Sequence, residues 1–186
     1  MNVKDGGIIL VSQPRSGSTN LMKSIGSYYN KKQIFEPDLI KNRPKCNHKN
    51  DVVKFFPYWP SHFTKKQIYQ YDDILNKIKK YNTIILLARR NKEEQVDSFY
   101  NTTQVINGDY LAKWSDEKVD KDSGTYKFYY NYFIELDNIF NRLSNDLNLE
   151  INYYEDVFKN KKLNIDINLD LTFLEQKNKL RQPSNG

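Results

Sequence analysis

Gly7-Ile8-Ile9-Leu10-Val11-Ser12-Gln13-Pro14-Arg15-Ser16-Gly17-Ser18-Thr19-Asn20 is the stretch whose reading decides the fold. Ile8 to Val11 is a short apolar run of β-branched type, the pattern of a buried strand. Pro14-Arg15-Ser16-Gly17-Ser18-Thr19 ends it, and Leu21, Met22, Ile25, Tyr28 and Tyr29 then recur at the spacing of one helix face. Strand, tight polar turn and helix together place backbone N–H groups and a helix N-terminus around one anion. Gly17 permits close approach of the backbone, Ser16, Ser18 and Thr19 add hydroxyl donors, and Arg15 adds a permanent charge with a planar fork of N–H groups. The stretch reads as a phosphate or sulfate cradle. It is not the nucleotide loop of ordinary ATPases and GTPases, which needs Gly, four residues, then Gly-Lys-Ser/Thr. Here Gly17 is followed by Ser18.

Working outward, strand and helix patterns alternate. Gln33-Ile34-Phe35-Glu36-Pro37 is a short extended segment that Pro37 ends, and Asp51 to Phe56 is another strand, stopped by Pro57. Thr64-Lys65-Lys66-Gln67 has the form of a capping box, before a helix with Ile68, Tyr71, Leu75 and Ile78 on its buried face. Thr83-Ile84-Ile85-Leu86-Leu87-Ala88 is a continuous apolar run of the kind found in strands covered on both faces. Asn91 with Glu94 opens a further helix, with Val96, Phe99 and Tyr100 on its apolar side. Residues 107–122 are polar and charged and are expected to form a mobile excursion. A long helix is expected from about Tyr126 to Leu143, with Tyr126, Tyr130, Phe133, Leu136, Phe140 and Leu143 on one face. Leu149 to Tyr154 is the last strand, and the tail from Asn164 is helix or coil. This alternation predicts an α/β fold: one domain over residues 1–186, with a central parallel sheet flanked by helices on both faces. Ligands of such sheets sit at the carboxyl ends of the strands, where Arg15, Glu36, Arg90 and Tyr154 all fall.

Three ordered motifs carry a resemblance. Pro14-Arg15-Ser16-Gly17-Ser18-Thr19 after a strand resembles the 5′-phosphosulfate loop of the sulfotransferases. Those enzymes move a sulfuryl group from 3′-phosphoadenosine 5′-phosphosulfate (PAPS) to a hydroxyl or amine and release 3′,5′-ADP. Arg90, with Ser98 eight positions later, is similar to the pair that binds the 3′-phosphate in that family. Tyr153-Tyr154-Glu155-Asp156 is similar to the Tyr-Glu-Asp with which relatives end a late strand, the tyrosine lying against the adenine.

The resemblance implies a P-loop NTPase-like fold and PAPS as cofactor. It implies a cofactor site of Arg15, Ser16, Gly17, Ser18, Thr19, Arg90, Ser98 and Tyr154, with Arg181 in the place of the family's late basic loop. Arg15 is expected to stabilise charge on the departing phosphate. For the base that takes the acceptor proton, Glu36 ranks first and His62 second, with His48 behind them. Glu36-Pro37 resembles a Glu-Pro of some carbohydrate-modifying and bacterial branches. Two departures stand against the cytosolic branch. Phe55-Phe56 follows Lys54 where that branch has a histidine two residues after a strand-end lysine, and Asn20 replaces its adenine-stacking aromatic.

The net charge of +6 and pI near 9.1 favour an anionic partner. The lysines are scattered rather than blocked, which speaks against nucleic acid. Cys46 is the single cysteine, so the chain has no internal disulfide and no thiolate zinc cluster, and no metal site is expected. No signal peptide and no apolar run near the roughly 20 residues of a membrane span are present, so a soluble cytoplasmic protein with no membrane partner is expected. The expected partner is a small-molecule or carbohydrate acceptor, for which Tyr58, Trp59, Tyr110 and Trp114 offer an aromatic wall. Two rival readings stay open: a P-loop-type small-molecule kinase, and a non-catalytic basic module that binds polyanions.

Overall fold

The computed structural model describes residues 6–35, 46–57, 70–106, 109–112 and 118–160. Within them the elements run β1 (Ile8–Ser12), α1 (Ser18–Tyr28), β2 (Gln33–Phe35), β3 (Val52–Phe55), α2 (Tyr71–Ile78), β4 (Thr83–Ala88), α3 (Lys92–Thr102), β5 (Thr103–Ile106), β6 (Asp109–Ala112), α4 (Gly124–Leu147), β7 (Ile151–Tyr153) and α5 (Tyr154–Asn160). Every residue of β1 is buried. A strand so uniformly covered belongs inside a parallel sheet, and β1 is the middle strand of five in the order β2-β3-β1-β4-β7. All four pairings are parallel; Ile8 lies opposite Val52 on one side and Thr83 on the other.

Side chains alternate across a strand, and each face of this sheet has its own helices. Ile8, Leu10, Val52, Ile85 and Leu87 pack on Leu21, Met22 and Ile25 of α1 and Val157 of α5. Ile9, Val11, Val53, Phe55, Leu86 and Ala88 pack on Ile74 and Ile78 of α2 and Phe140 and Leu143 of α4. The expected α/β fold, with a parallel sheet and helices on both faces, is therefore present. α3 lies against α4 through an aromatic cluster in which Phe99 meets Tyr129 and Phe133 edge-on, with ring centroids 5.0 and 5.4 Å away.

The strand order sets the position of the site. From β1 the chain passes through α1 to β2, towards one edge of the sheet. From β4 it passes through α3 and α4 to β7, towards the other. The loops after β1 and β4 thus leave neighbouring strands in opposite directions, and the crevice between them is the switch point of the sheet.

The structure corrects several local expectations. β5 pairs antiparallel with β6, and β6 (Asp109–Ala112) falls inside the stretch 107–122 read as a polar excursion. The pairing runs from Thr103 opposite Ala112 to Ile106 opposite Asp109, and strand pairing of backbone groups outweighs the polar composition. On α4 the buried set includes Tyr129 and Tyr132, while Tyr130 is 37% exposed. The helix packs on both the sheet and α3, so its buried face is wider than a single stripe. α2 buries Ile74 and Ile78, with Tyr71 and Leu75 only partly covered; the capping box and Ile68 lie outside the described residues. Tyr154 opens α5 instead of ending a strand, and Glu155 and Asp156 supply the acids that favour a helix start. No helix among the described residues is long and apolar enough to cross a membrane.

Leu86 is wholly buried in the sheet, whereas Ile84 near the start of β4 is only partly covered. Leu86→Ala should therefore cost about 2–5 kcal/mol of stability and Ile84→Ala clearly less. Urea denaturation of the two variants measures the difference.

Candidate anion-binding site

The ladder between β1 and β4 runs one residue past β1, where Gln13 N–H donates to Leu87 O at 3.1 Å. The chain then turns sharply. Arg15 has φ 60° and Gly17 φ 75°, both in the left-handed region. For Arg15 this conformation costs about 1–2 kcal/mol, so the surrounding contacts must hold it. At Gly17 a side chain has no room, because a Cβ there would stand 2.7 Å from the Phe158 ring and 2.9 Å from that of Tyr154. Ser16 Oγ closes the turn by donating to Gln13 O at 2.6 Å.

α1 begins at this turn with Gly17 as its N-cap, with no side-chain hydrogen bond to the cap and no acid in its first turn. The first-turn N–H groups and the positive end of the helix dipole therefore face the turn with no anion supplied by α1's own cap or first turn. Two cations meet there, one carried in from β3 and one from the turn itself. Lys54 of β3, only 5% exposed, donates from Nζ to Thr19 Oγ1 at 3.1 Å. Its ammonium lies 4.6 Å from the Phe56 ring centroid and 5.6 Å from that of Phe35. Arg15 Nε donates to Ser98 Oγ on α3 at 2.9 Å. Ser12 Oγ, fully buried at the end of β1, has no hydrogen-bond partner among the described residues.

Beneath the turn lies a buried polar network. The Gln13 amide donates to Asp137 Oδ1 at 2.7 Å and accepts from Lys92 Nζ at 3.0 Å, Gln95 Nε2 at 3.2 Å and the Arg89 N–H at 3.4 Å. Gln95 Nε2 also donates to Pro14 O at 2.7 Å. Burial pushes the Lys92 ammonium pKa down, against the opposing pull of its bond to Asp137.

The junction of β4 and α3 is built differently. Asn91 caps α3 by accepting from the Glu94 N–H at 3.1 Å. The Glu155 carboxylate accepts from the N–H groups of Arg90 and Asn91 at 3.1 and 3.0 Å. Arg90, 52% exposed, forks onto Asp156 at 2.7 and 2.6 Å and lies 4.1 Å from the Tyr153 ring. Arg89 is the inner member of the pair. Its guanidinium pairs with Glu94, reaches Arg15 O at 3.4 Å and lies 4.8 Å from the Tyr154 ring, which is itself 4.7 Å from Phe158. The start of α3 thus holds a carboxylate from its own chain, whereas the start of α1 has none from its cap or first turn.

Of the expected site residues, Arg15, Ser16, Gly17, Ser18, Thr19, Ser98 and Tyr154 come together around one turn. Arg90 lies on the same edge of the sheet, but Ser98 bonds to Arg15 while Arg90 bonds to Asp156. Glu36, His62 and Arg181 lie outside the described residues, as do Tyr58, Trp59 and Trp114. His48 is at the wrong end for a base: its backbone carbonyl abuts Gly7, before β1, while the anion turn follows β1. Lys54, Arg89, Lys92, Gln95 and Asp137 were not assigned to the site from sequence. Lys54 alone carried a signal, as a lysine inside the apolar run Val52-Val53-Lys54-Phe55-Phe56.

In comparisons with known proteins, the chain matches no protein-family model, no curated protein and no solved structure. The functional reading therefore rests on the site itself.

Burial raises the Glu155 carboxyl pKa, but the Asn91 and Arg90 N–H groups and the nearby Arg89 charge outweigh it and hold the group below its ordinary 4.5. A depressed carboxyl stabilises the fold fully above its unfolded pKa, and that stabilisation is lost as pH falls through the folded value. Glu155→Gln should therefore lower the urea midpoint at about pH 7, with the gap to the parent closing as the buffer is taken below about pH 4. A gap independent of pH would contradict this role.

Proposed function

We propose that the chain is a sulfotransferase that moves a sulfuryl group from PAPS to an acceptor hydroxyl of a carbohydrate or small molecule. The observation that carries the reading is the meeting of Lys54, Arg15 and the α1 N-terminus at the switch point of a parallel sheet. The Arg15–Ser98 bond supports it further, since it joins a residue of the expected phosphosulfate loop to one of the expected 3′-phosphate pair. An anion loop after the middle strand also suits a P-loop NTPase-like reading of the fold.

Bound PAPS would supply an activated sulfuryl group on its 5′-phosphate. The chain's own residues then have a task close to that in phosphoryl transfer, to position the partners and to neutralise the leaving charge. The amides after Gly17, with the Ser18 and Thr19 hydroxyls, would orient the phosphosulfate. Lys54 and Arg15 would offset charge on the phosphate oxygen as its bond to sulfur breaks and the acceptor oxygen bonds to sulfur. Lys54 does this from a buried position, where a fixed charge acts more strongly than in water. The acceptor proton passes to a base, for which Glu36 and His62 are the candidates. Glu36 directly follows Phe35, whose ring lies near Lys54 Nζ. Tyr154, packed over Gly17, would lie against the adenine.

Calorimetric titration tests the reading. The parent chain should bind 3′,5′-ADP without magnesium, and Arg15→Ala and Lys54→Met should each weaken binding about tenfold or more, the loss expected for a charge-assisted hydrogen bond. Binding of ATP with magnesium in preference to 3′,5′-ADP would replace it with the kinase reading. Salt-sensitive binding of polyanions that survives both substitutions would replace it with the binding-module reading.

A further inference from the structure

The Lys92 ammonium has the coordination of a small bound cation. Four oxygens surround Nζ: Arg89 O at 2.6 Å, Asp137 Oδ1 at 2.8 Å, Gln13 Oε1 at 3.0 Å and Gln95 Oε1 at 3.1 Å. They come from the end of β1, the end of β4, α3 and α4, and the side chain is only 13% exposed. An ammonium offers three N–H groups, so this shell is saturated and Lys92 has no donor left for a ligand.

What the ammonium does is set two amides. With Oε1 of Gln95 on Lys92, its Nε2 is turned to Pro14 O at 2.7 Å. With Oε1 of Gln13 on Lys92, its Nε2 is turned to Asp137. Without the cation each amide oxygen would lose a charged donor and Asp137 its counter-charge, leaving the two amides held only by their weaker bonds to each other, to Pro14 O, to Asp137 and to the Arg89 N–H. Pro14 has no N–H with which to anchor itself, and Arg15 after it sits in the costly left-handed region. The bond to Pro14 O and that of Arg89 to Arg15 O are therefore holds on the carbonyls of the turn.

We infer that Lys92 is the positioning residue of the anion turn, an internal cation that holds Arg15 to Ser18 in their binding geometry without touching the ligand. The inference rests on the turn's being the anion-binding element proposed above, but its first test needs no ligand. In hydrogen–deuterium exchange of the ligand-free chain, Lys92→Met should raise exchange of the 15–18 amides about tenfold, the scale of one lost charge-assisted bond, while the 8–11 amides of β1 keep the parent's rate. Unchanged exchange in the turn, or an equal rise in turn and strand, would overturn the inference. If Lys92→Met does not fold, Gln95→Leu, which removes the bond to Pro14 O, must open the turn in the same selective way.

Rescue separates positioning from plain packing. In Lys92→Ala, propylammonium, which replaces the deleted methylenes and ammonium, should restore slow exchange at 15–18, whereas propanol should not. Lys92→Arg should stay open, because a planar guanidinium cannot fill this shell. Restoration by propanol would show a packing role, and restoration by arginine would show that the ammonium shell is not required; either would sink the inference. Titration with 3′,5′-ADP is the second arm: a parent that binds it should lose affinity in Lys92→Met in step with the exchange. If the parent binds no 3′,5′-ADP yet the turn opens as described, the sulfotransferase reading fails and the role of Lys92 stands.

Discussion

The structure depends on the burial of one polar side chain, Gln13, at the top of the middle strand. β1 is covered on both faces, so the residue that follows it emerges into a place where water does not reach. A buried amide left unsatisfied would cost about 1–3 kcal/mol per lost group, and Gln13 avoids this by bonding to β4, α3 and α4 at once. Those bonds tie the anion turn to elements far away in sequence. The left-handed backbone at Arg15 persists because its neighbours on both sides are fixed.

The same economy of partners decides where an anion can bind. Among the helices that start at the carboxyl edge of the sheet, one follows β1 and one follows β4. Glu155 and the Asn91 side chain already serve the second, and Asp156 takes up the exposed Arg90. The first has a glycine cap and, beside it, a lysine carried in from β3. Arg15 and Arg90, equal in the sequence as cofactor arginines, are thus unequal in the fold. Arg15 is joined to Ser98 at the turn, while Arg90 braces α5.

Much of this was legible in the chain. Apolar runs such as Ile8–Val11 and Thr83–Ala88 announce strands covered on both faces, because nothing else of that length is so uniformly apolar. The turn announces itself through Gly17 and the hydroxyls around it. The support beneath the turn was not legible, since Gln13, Gln95, Lys92 and Asp137 are ordinary polar residues whose meaning lies in contacts across more than a hundred positions, as between Gln13 and Asp137. The pairing of β5 with β6 was hidden by the polar composition around β6. Tyr130 was misplaced because a single stripe cannot describe a helix packed on two neighbours.

The central claim is that one anion site is built at the start of α1. Backbone amide NMR of the nitrogen-15-labelled chain during addition of 3′,5′-ADP tests it most directly. The account predicts that the Ser16, Gly17, Ser18 and Thr19 resonances move together and saturate, while those of Asn47 to Asn50, beyond the amino end of β1, stay in place. Saturable shifts confined to other elements, or none at all in the 16–19 segment, would contradict it.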